Sequence, residues 1–132
     1  LEYTFLMRYL GIDYGSKRVG IALSDEKGEF AIPFIVLNSS KKMVDEILGI
    51  AEENNVKTII LGESKDYKGK PNAIHADSLE FKKELEAEGY EVIFEPEFMT
   101  SMHAEKTQGK HDLLDASSAA LILQSYLDKL PK

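Results

Sequence analysis

The sequence predicts a single α/β domain with a mixed five-stranded sheet and helices on both faces, in the order βββαβαβα. Three β-like runs, at 8–13, 18–25 and 30–37, follow one another with short polar turns, which predicts an antiparallel meander. After them, helices alternate with strands. Right-handed crossovers would then make the last two strands parallel to the first.

The first three strands are predicted from alternation and from turn residues. Val19, Ile21 and Leu23 alternate with small or polar residues, which is the pattern of a strand with one face in the core. Pro33 lies in the third strand and has no backbone N–H, so we expect this strand at an edge of the sheet.

A helical period marks the next element, for which Ser39 or Ser40 is the expected N-cap residue. Its apolar face consists of Met43, Val44, Ile47, Leu48 and Ala51. The remaining elements are a strand at 56–62, a loop at 63–71, a helix ended by Gly89, a strand at 90–94, a short helix capped by Thr100 or Ser101, a break at 108–111 and a last helix from near Asp112 to Leu127.

The composition is that of one globular domain. The chain has 132 residues, of which 43% are hydrophobic and 30% charged, and no apolar run approaches the roughly 20 residues of a membrane span. The absence of cysteine excludes disulfides and thiolate metal sites and fits a cytoplasmic protein. Residues 1–6 are expected to be an extension before Met7. The net charge of −7 disfavours a nucleic-acid partner unless basic residues gather on one face.

Acidic residues lie where the predicted elements meet. Asp13 ends the first strand, Glu97 follows the fifth, and Asp115 lies in the first turns of the last helix. Polar sites collect at the carboxyl ends of parallel strands, so we expect these acids to converge. Close carboxylates repel one another unless a cation compensates, and their hard oxygen atoms suit Mg²⁺ or Mn²⁺. Two such ions promote phosphodiester cleavage by activating water and stabilising the leaving oxygen.

Each acid also has a structural explanation. A turn explains Asp13 equally well, because Asp is a common turn residue. Asp115 fits the acidic third position of a helix capping arrangement that begins at Asp112. Glu97 could be a solvated loop acid, and Glu95 competes with it because it is nearer the strand.

Basic residues are expected at the same end of the sheet. Lys17 and Arg18 lie in the first turn, and His111 lies beside Lys110 in a loop containing glycine. Such residues could contact phosphates and offset the negative charge locally. Three lysines in the loop after the fourth strand are equally well explained as solvated side chains: Lys65, Lys68 and Lys70.

Three segments resemble the YqgF-type (RuvX) family. Residues 11–25 (GIDYGSKRVGIALSD) resemble its opening signature, and residues 115–127 (DASSAALILQSYL) resemble its last helix. Residues 97–101 (EFMTS) are similar to its Asp-Glu-Arg-Leu-Thr-Ser stretch. The resemblance covers about residues 7–130. It implies an RNase H-like fold and nuclease activity on structured RNA or branched DNA, either in Holliday junction resolution or in pre-16S ribosomal RNA processing.

The resemblance also implies roles for individual residues. Asp13, Glu97 and Asp115 take its metal-binding, catalytic positions, with Asp13 bridging the Mg²⁺ or Mn²⁺ ions. Symmetrical cutting of two strands would favour a two-fold homodimer. The residues expected to contact the nucleic acid are Lys17, Arg18, Ser101, Lys110 and His111.

The chain departs from the family pattern at three places. Pro96 replaces an Asp, Phe98 replaces an Arg, and Glu63-Ser64 replaces an apolar-Pro pair. Without the Arg, a bidentate phosphate contact is lost. A catalytically weakened module that only binds nucleic acid or a protein is therefore the alternative function. A sugar-kinase-like fragment is disfavoured because such kinases need two lobes around the nucleotide.

Overall fold

A computed structural model of the chain describes residues 7–64, 73–97 and 111–131. The side chains of 64, 73–75, 97 and 111–115 lie outside this description. The elements are β1 (Arg8–Tyr14), β2 (Arg18–Ser24), β3 (Ala31–Asn38), α1 (Met43–Glu53), β4 (Val56–Ser64), α2 (Ala73–Ala87), β5 (Glu91–Glu97) and α3 (His111–Leu127).

The five strands form one mixed sheet in the order β3-β2-β1-β4-β5. The first three strands pair antiparallel, whereas β4 pairs parallel with both β1 and β5. The predicted element order, the mixed sheet and the edge position of the strand containing Pro33 are therefore confirmed. Because β1, β4 and β5 run in the same direction, their carboxyl ends share one edge of the sheet.

Each face of the sheet has its own apolar core. Met43, Ile47 and Ala51 of α1 pack with Phe81 and Leu85 of α2 on one face. On the other face, α3 packs mainly over β2, β3 and β1, with a buried cluster of Ala22, Ile60, Ala119, Ile122, Leu123 and Leu127. The helices thus lie on both faces, as predicted.

A close approach between β1 and α3 requires glycine at position 11. A Cβ atom there would lie 2.7 Å from Leu123 Cβ and 3.0 Å from the Ala119 carbonyl oxygen. Successive residues of a strand point to opposite faces. Leu10 and Ile12 lie in the core of α1 and α2, so Gly11 and Asp13 belong to the face covered by α3.

Two predicted boundaries and one predicted cap are wrong. The fourth strand continues beyond position 62 to Ser64, and the fifth continues beyond position 94 to Glu97, because these polar ends pair with each other, Ser64 with Glu97. Lys42, rather than Ser39 or Ser40, occupies the N-cap of α1, without a side-chain cap hydrogen bond. Ser40 Oγ instead accepts from the Lys42 N–H at 3.2 Å, before the helix begins.

The remaining boundaries agree with the sequence or cannot be compared. Gly89 follows α2 with φ = 96°, as expected of the glycine that ends a helix. The last helix begins at His111, the end of the predicted break. The predicted extension at 1–6 and the short helix capped by Thr100 or Ser101 lie outside the described residues.

Candidate active site

Asp13 is buried at the carboxyl edge of the parallel strands, with 6% of its surface exposed. It pairs with Gly20 of β2. On its other side, Ile12 pairs with Leu61, so the β4 residue nearest to Asp13 is Gly62. Both of these neighbouring positions are glycine, so neither β2 nor β4 contributes a Cβ atom directly beside Asp13. The sheet therefore fixes the position of Asp13 at its carboxyl edge.

The direction of α3 brings its N-terminal turns toward this edge. Tyr126 packs on Tyr9, with the ring centroids 5.8 Å apart. Further along β1, Gly11 contacts Ala119 and Leu123. The helix therefore runs against the direction of β1. Four residues of a helix and two residues of a strand each span about 6–7 Å. One helical turn before Ala119 is Asp115, and two strand positions after Gly11 is Asp13, so the backbone places the turn with Asp115 near Asp13.

The two acids at the end of β5 have different surroundings. Glu95 is buried, and its Oε2 accepts hydrogen bonds from Ser125 Oγ at 2.8 Å and Lys129 Nζ at 2.5 Å. Ser125 lies in the last turn of α3, and Lys129 lies two residues beyond the helix and forms an ion pair with the carboxylate. Glu97 is the last residue of β5, two positions nearer the strand end. Glu95 is thus held by partners within the protein.

Asp13 and Glu95 are the two buried acids among the residues whose side chains are described. Within that set, no three His, Cys, Asp or Glu side chains form a metal-binding group. Glu97 and Asp115 are described at the backbone only, which puts one at the sheet edge and the other near the start of α3. Carboxylates at these positions fit Mg²⁺ or Mn²⁺, since both ions prefer hard oxygen ligands.

The predicted phosphate contacts divide into two groups. Lys17 is exposed in the turn between β1 and β2, and Arg18 is half-buried at the start of β2. Arg18 lines a cleft of about 620 Å³ together with Ala116 of α3, so the start of α3 lies at the same edge. His111 begins α3. Ser101 and Lys110, like Lys65, Lys68 and Lys70, lie outside the described residues.

Sequence reasoning missed an acidic groove beside Tyr14, on the opposite face of the sheet. The groove has a volume of about 620 Å³, and its lining includes Asp77, Glu80 and Glu84 of α2. The Tyr14 ring packs on Phe81, with the centroids 5.0 Å apart. Burial, and then the nearby charges of Asp77 and Glu84, raise the pKa of Tyr14. The three-to-four-residue spacing of these acids was the signal in the sequence.

The tight turn after β1 requires glycine at position 15. A Cβ on Gly15 would lie 2.6 Å from the Arg18 carbonyl oxygen, so the tight turn that follows Asp13 excludes larger residues. Ser39 supports this turn by donating its N–H to the Lys17 carbonyl oxygen at 2.9 Å. Rigid neighbours therefore hold the strand end that carries Asp13.

No helix in the described part of the chain is both long and apolar enough to cross a membrane.

Comparison with known proteins agrees with this architecture. Residues 7–129 match the sequence profile of the family described as "RuvX: Holliday junction resolvase". A protein of Sulfurihydrogenibium sp. (strain YO3AOP1), named as a candidate pre-16S rRNA nuclease, is 33% identical over 134 residues, covering 95% of this chain and 92% of its own. A relative from Opitutus terrae with the same name is 32% identical, covering 93% and 92%.

Two solved structures share the fold. The fowlpox virus resolvase in complex with Holliday junction DNA superposes with a TM-score of 0.60 at 14% identity, covering 96% of this chain and 100% of its own. Thermus thermophilus RuvC in complex with a Holliday junction gives a TM-score of 0.56 at 13% identity, covering 92% and 93%. With the profile match over residues 7–129, these findings establish that the chain belongs to the RuvX family and has an RNase H-like fold.

Proposed function

We propose that this chain is a nuclease that hydrolyses phosphodiester bonds in structured nucleic acid in the cytoplasm, with Mg²⁺ or Mn²⁺ as its cofactor. The observation that carries the proposal is the buried carboxylate of Asp13, at the edge where β5 ends at Glu97 and α3 begins. The family match and the names of the relatives support the same activity.

The carboxylates of Asp13, Glu97 and Asp115 would hold the ions. When bound, Mg²⁺ or Mn²⁺ supplies charge stabilisation and activates water for attack on phosphorus. Asp13 is held by the sheet on both sides, and its burial keeps competing bulk water from the carboxylate. Preorganisation of this kind lowers the cost of arranging the site during the reaction.

The distribution of charge gives the nucleic acid one direction of approach. Asp77, Glu80 and Glu84 make the groove on the α1 and α2 face acidic, and they would repel phosphates. Lys17 lies in the turn after β1, and Arg18 is the first residue of β2. Phosphates would therefore approach over the end of β1 and the start of β2. Local basic residues of this kind can bind a polyanion despite the net charge of −7.

Two substrates remain to be separated by experiment. The relatives' names favour precursor ribosomal RNA, whereas both solved structures hold a Holliday junction. We favour the RNA substrate. The relatives named for RNA processing share about a third of their residues with this chain, whereas the two solved structures share only its fold.

The test compares wild-type protein with Asp13→Asn, which keeps the shape of the side chain and removes its charge. Manganese titration by calorimetry and cleavage of a pre-16S RNA fragment are measured together. We expect Asp13→Asn to lower cleavage at least about 100-fold and to weaken Mn²⁺ binding, because a metal ligand is lost. Circular dichroism checks that the variant folds.

The matched control is Asp128→Asn, the same chemical change at an exposed residue directly after α3. This variant should bind Mn²⁺ and cleave RNA as the wild type does. Undiminished cleavage by Asp13→Asn would refute the assignment of the site. Binding of RNA without metal-dependent cleavage by the wild type would establish the weakened binding module instead. A four-way DNA junction, tested in parallel, separates the two substrates.

A further inference from the structure

The edge strand β3 exposes an apolar surface, of which Phe34 and Ile35 also line the cleft that contains Arg18 and Ala116. Large apolar side chains are exposed along it to 63% at Phe30, 55% at Ile32, 50% at Phe34 and 41% at Ile35. Three of them line a groove of about 650 Å³ that lies away from Asp13. In the described sheet β3 pairs only with β2. An exposed apolar edge of this kind is a typical site of association.

The charges on either side of β3 indicate what covers it. The strand itself carries no charged residue between Phe30 and Asn38. The turn before it contains Asp25, Glu26 and Glu29 against a single lysine, Lys27. After it come two exposed lysines, Lys41 and Lys42. An antiparallel copy of the same strand would bring the acidic turn of each chain to the lysines of the other.

We propose that β3 is the interface of a two-fold homodimer, in which a second copy of this chain packs antiparallel against it. If Pro33 lies opposite its own copy, Ile32 of each chain meets Phe34 of the other, and Asp25 comes close to Lys41. A two-fold interface must be complementary to itself, and the distribution of charge around β3 satisfies this condition. A parallel arrangement would instead bring like charges together.

The area is sufficient for a reversible dimer. The exposed parts of the four side chains amount to about 400 Å², which is half of the roughly 800 Å² that each partner buries in a standard interface. The charged turns would supply the rest. Pro33 removes one backbone donor, and the register with β2 shifts beside it. Side-chain packing, more than a backbone ladder, would therefore hold the dimer.

This dimer has a consequence for the sites. From β1 of one chain to β1 of the other there are five strand intervals of about 4.8 Å, or roughly 24 Å. Because the paired chains run in opposite directions, the two Asp13 residues lie at opposite edges of the joined sheet. Each site would then act on its own substrate, rather than on two strands of one junction.

The first experiment measures mass in solution by size-exclusion chromatography with light scattering, from about 1 to about 100 µM protein. We expect the wild type to become dimeric within this range and Ile32→Glu/Phe34→Glu to stay monomeric. The control is Leu121→Glu, which changes an apolar residue that is 51% exposed on α3, and it should dimerise normally. Circular dichroism verifies folding. A wild type that stays monomeric, or a dimer that survives the β3 substitutions, overturns the proposal.

The second experiment tests the antiparallel direction. Lys41→Glu/Lys42→Glu and Glu26→Lys/Glu29→Lys should each weaken the homodimer at least about tenfold, while a mixture of the two variants should restore a heterodimer. Because the chain has no cysteine, Pro33→Cys offers an independent test, and it should form a disulfide-linked dimer on oxidation. Lys83→Cys, on the exposed side of α2, should not. Failure of the mixture to pair, or equal crosslinking of both cysteine variants, would contradict this arrangement.

Discussion

Substitution of Gly11 by alanine tests the contact that positions α3 over the site. The added Cβ would lie 2.7 Å from Leu123 Cβ and 3.0 Å from the Ala119 carbonyl oxygen. Neither atom can move without its backbone, because one is the first side-chain atom and the other belongs to the helix itself. The helix must therefore shift away from β1, and we expect the N-terminal turn with Asp115 to shift with it.

The expected loss follows from this steric conflict. Overpacking of a filled core costs about 1–3 kcal/mol in the free energy of unfolding. For a chain of this size, that corresponds to a decrease in Tm of about 4–12 °C. Because the displaced helix carries a predicted metal ligand, Mn²⁺ affinity should also fall in the folded protein.

Gly49→Ala provides the matched control, since it makes the same change in α1. A Cβ at position 49 meets no atom within 4 Å. There the substitution should stabilise the protein by about 0.5–1 kcal/mol, because alanine favours the helix. Urea unfolding and Mn²⁺ calorimetry measure both variants. If Gly11→Ala proved as stable as Gly49→Ala, the close packing of β1 against α3 would be refuted.

Two further predictions concern single polar groups. Desolvation raises the pKa of Asp25, but N–H groups that include those of Phe30 and Glu29 outweigh it and lower the pKa below its ordinary 3.8. Its contribution to stability is therefore present above about pH 4 and is lost as the pH falls through the lowered value. Asp25→Ala should destabilise the protein at pH 7 and progressively less in acid, and a pH-independent loss in urea unfolding would contradict this. Ser118 is fully buried, and its Oγ has no hydrogen-bond partner in the described structure. Ser118→Ala should raise the free energy of unfolding by about 1 kcal/mol, and a decrease would show that the hydroxyl is bound.

The element order could be predicted because periodicity and glycine positions report local structure. Met43, Ile47 and Ala51 are buried, as their helical spacing indicated. The ends of β4 and β5 could not be predicted, because polar residues have low strand propensity and only the pairing of Ser64 with Glu97 extends the ladder. The exposure of the Phe34 side chain could not be predicted either. Pro33 indicated that β3 is an edge strand, but apolar strand residues predict a core, so the sequence did not show which side chains this edge exposes.

The positions of Glu95 and Glu97 along β5 distinguish an acid with structural partners from a candidate functional acid. Glu95 and Glu97 are two positions apart in β5. Ser125 of α3 and Lys129, two residues beyond the helix, both donate hydrogen bonds to Glu95, so the carboxylate has partners within the protein. Glu97 lies one strand repeat further, at the edge shared with Asp13. Both positions are glutamate, so the sequence alone does not distinguish them. The path of α3 across the sheet distinguishes them, and so makes Glu97 the acid from β5 on which the proposed metal site depends.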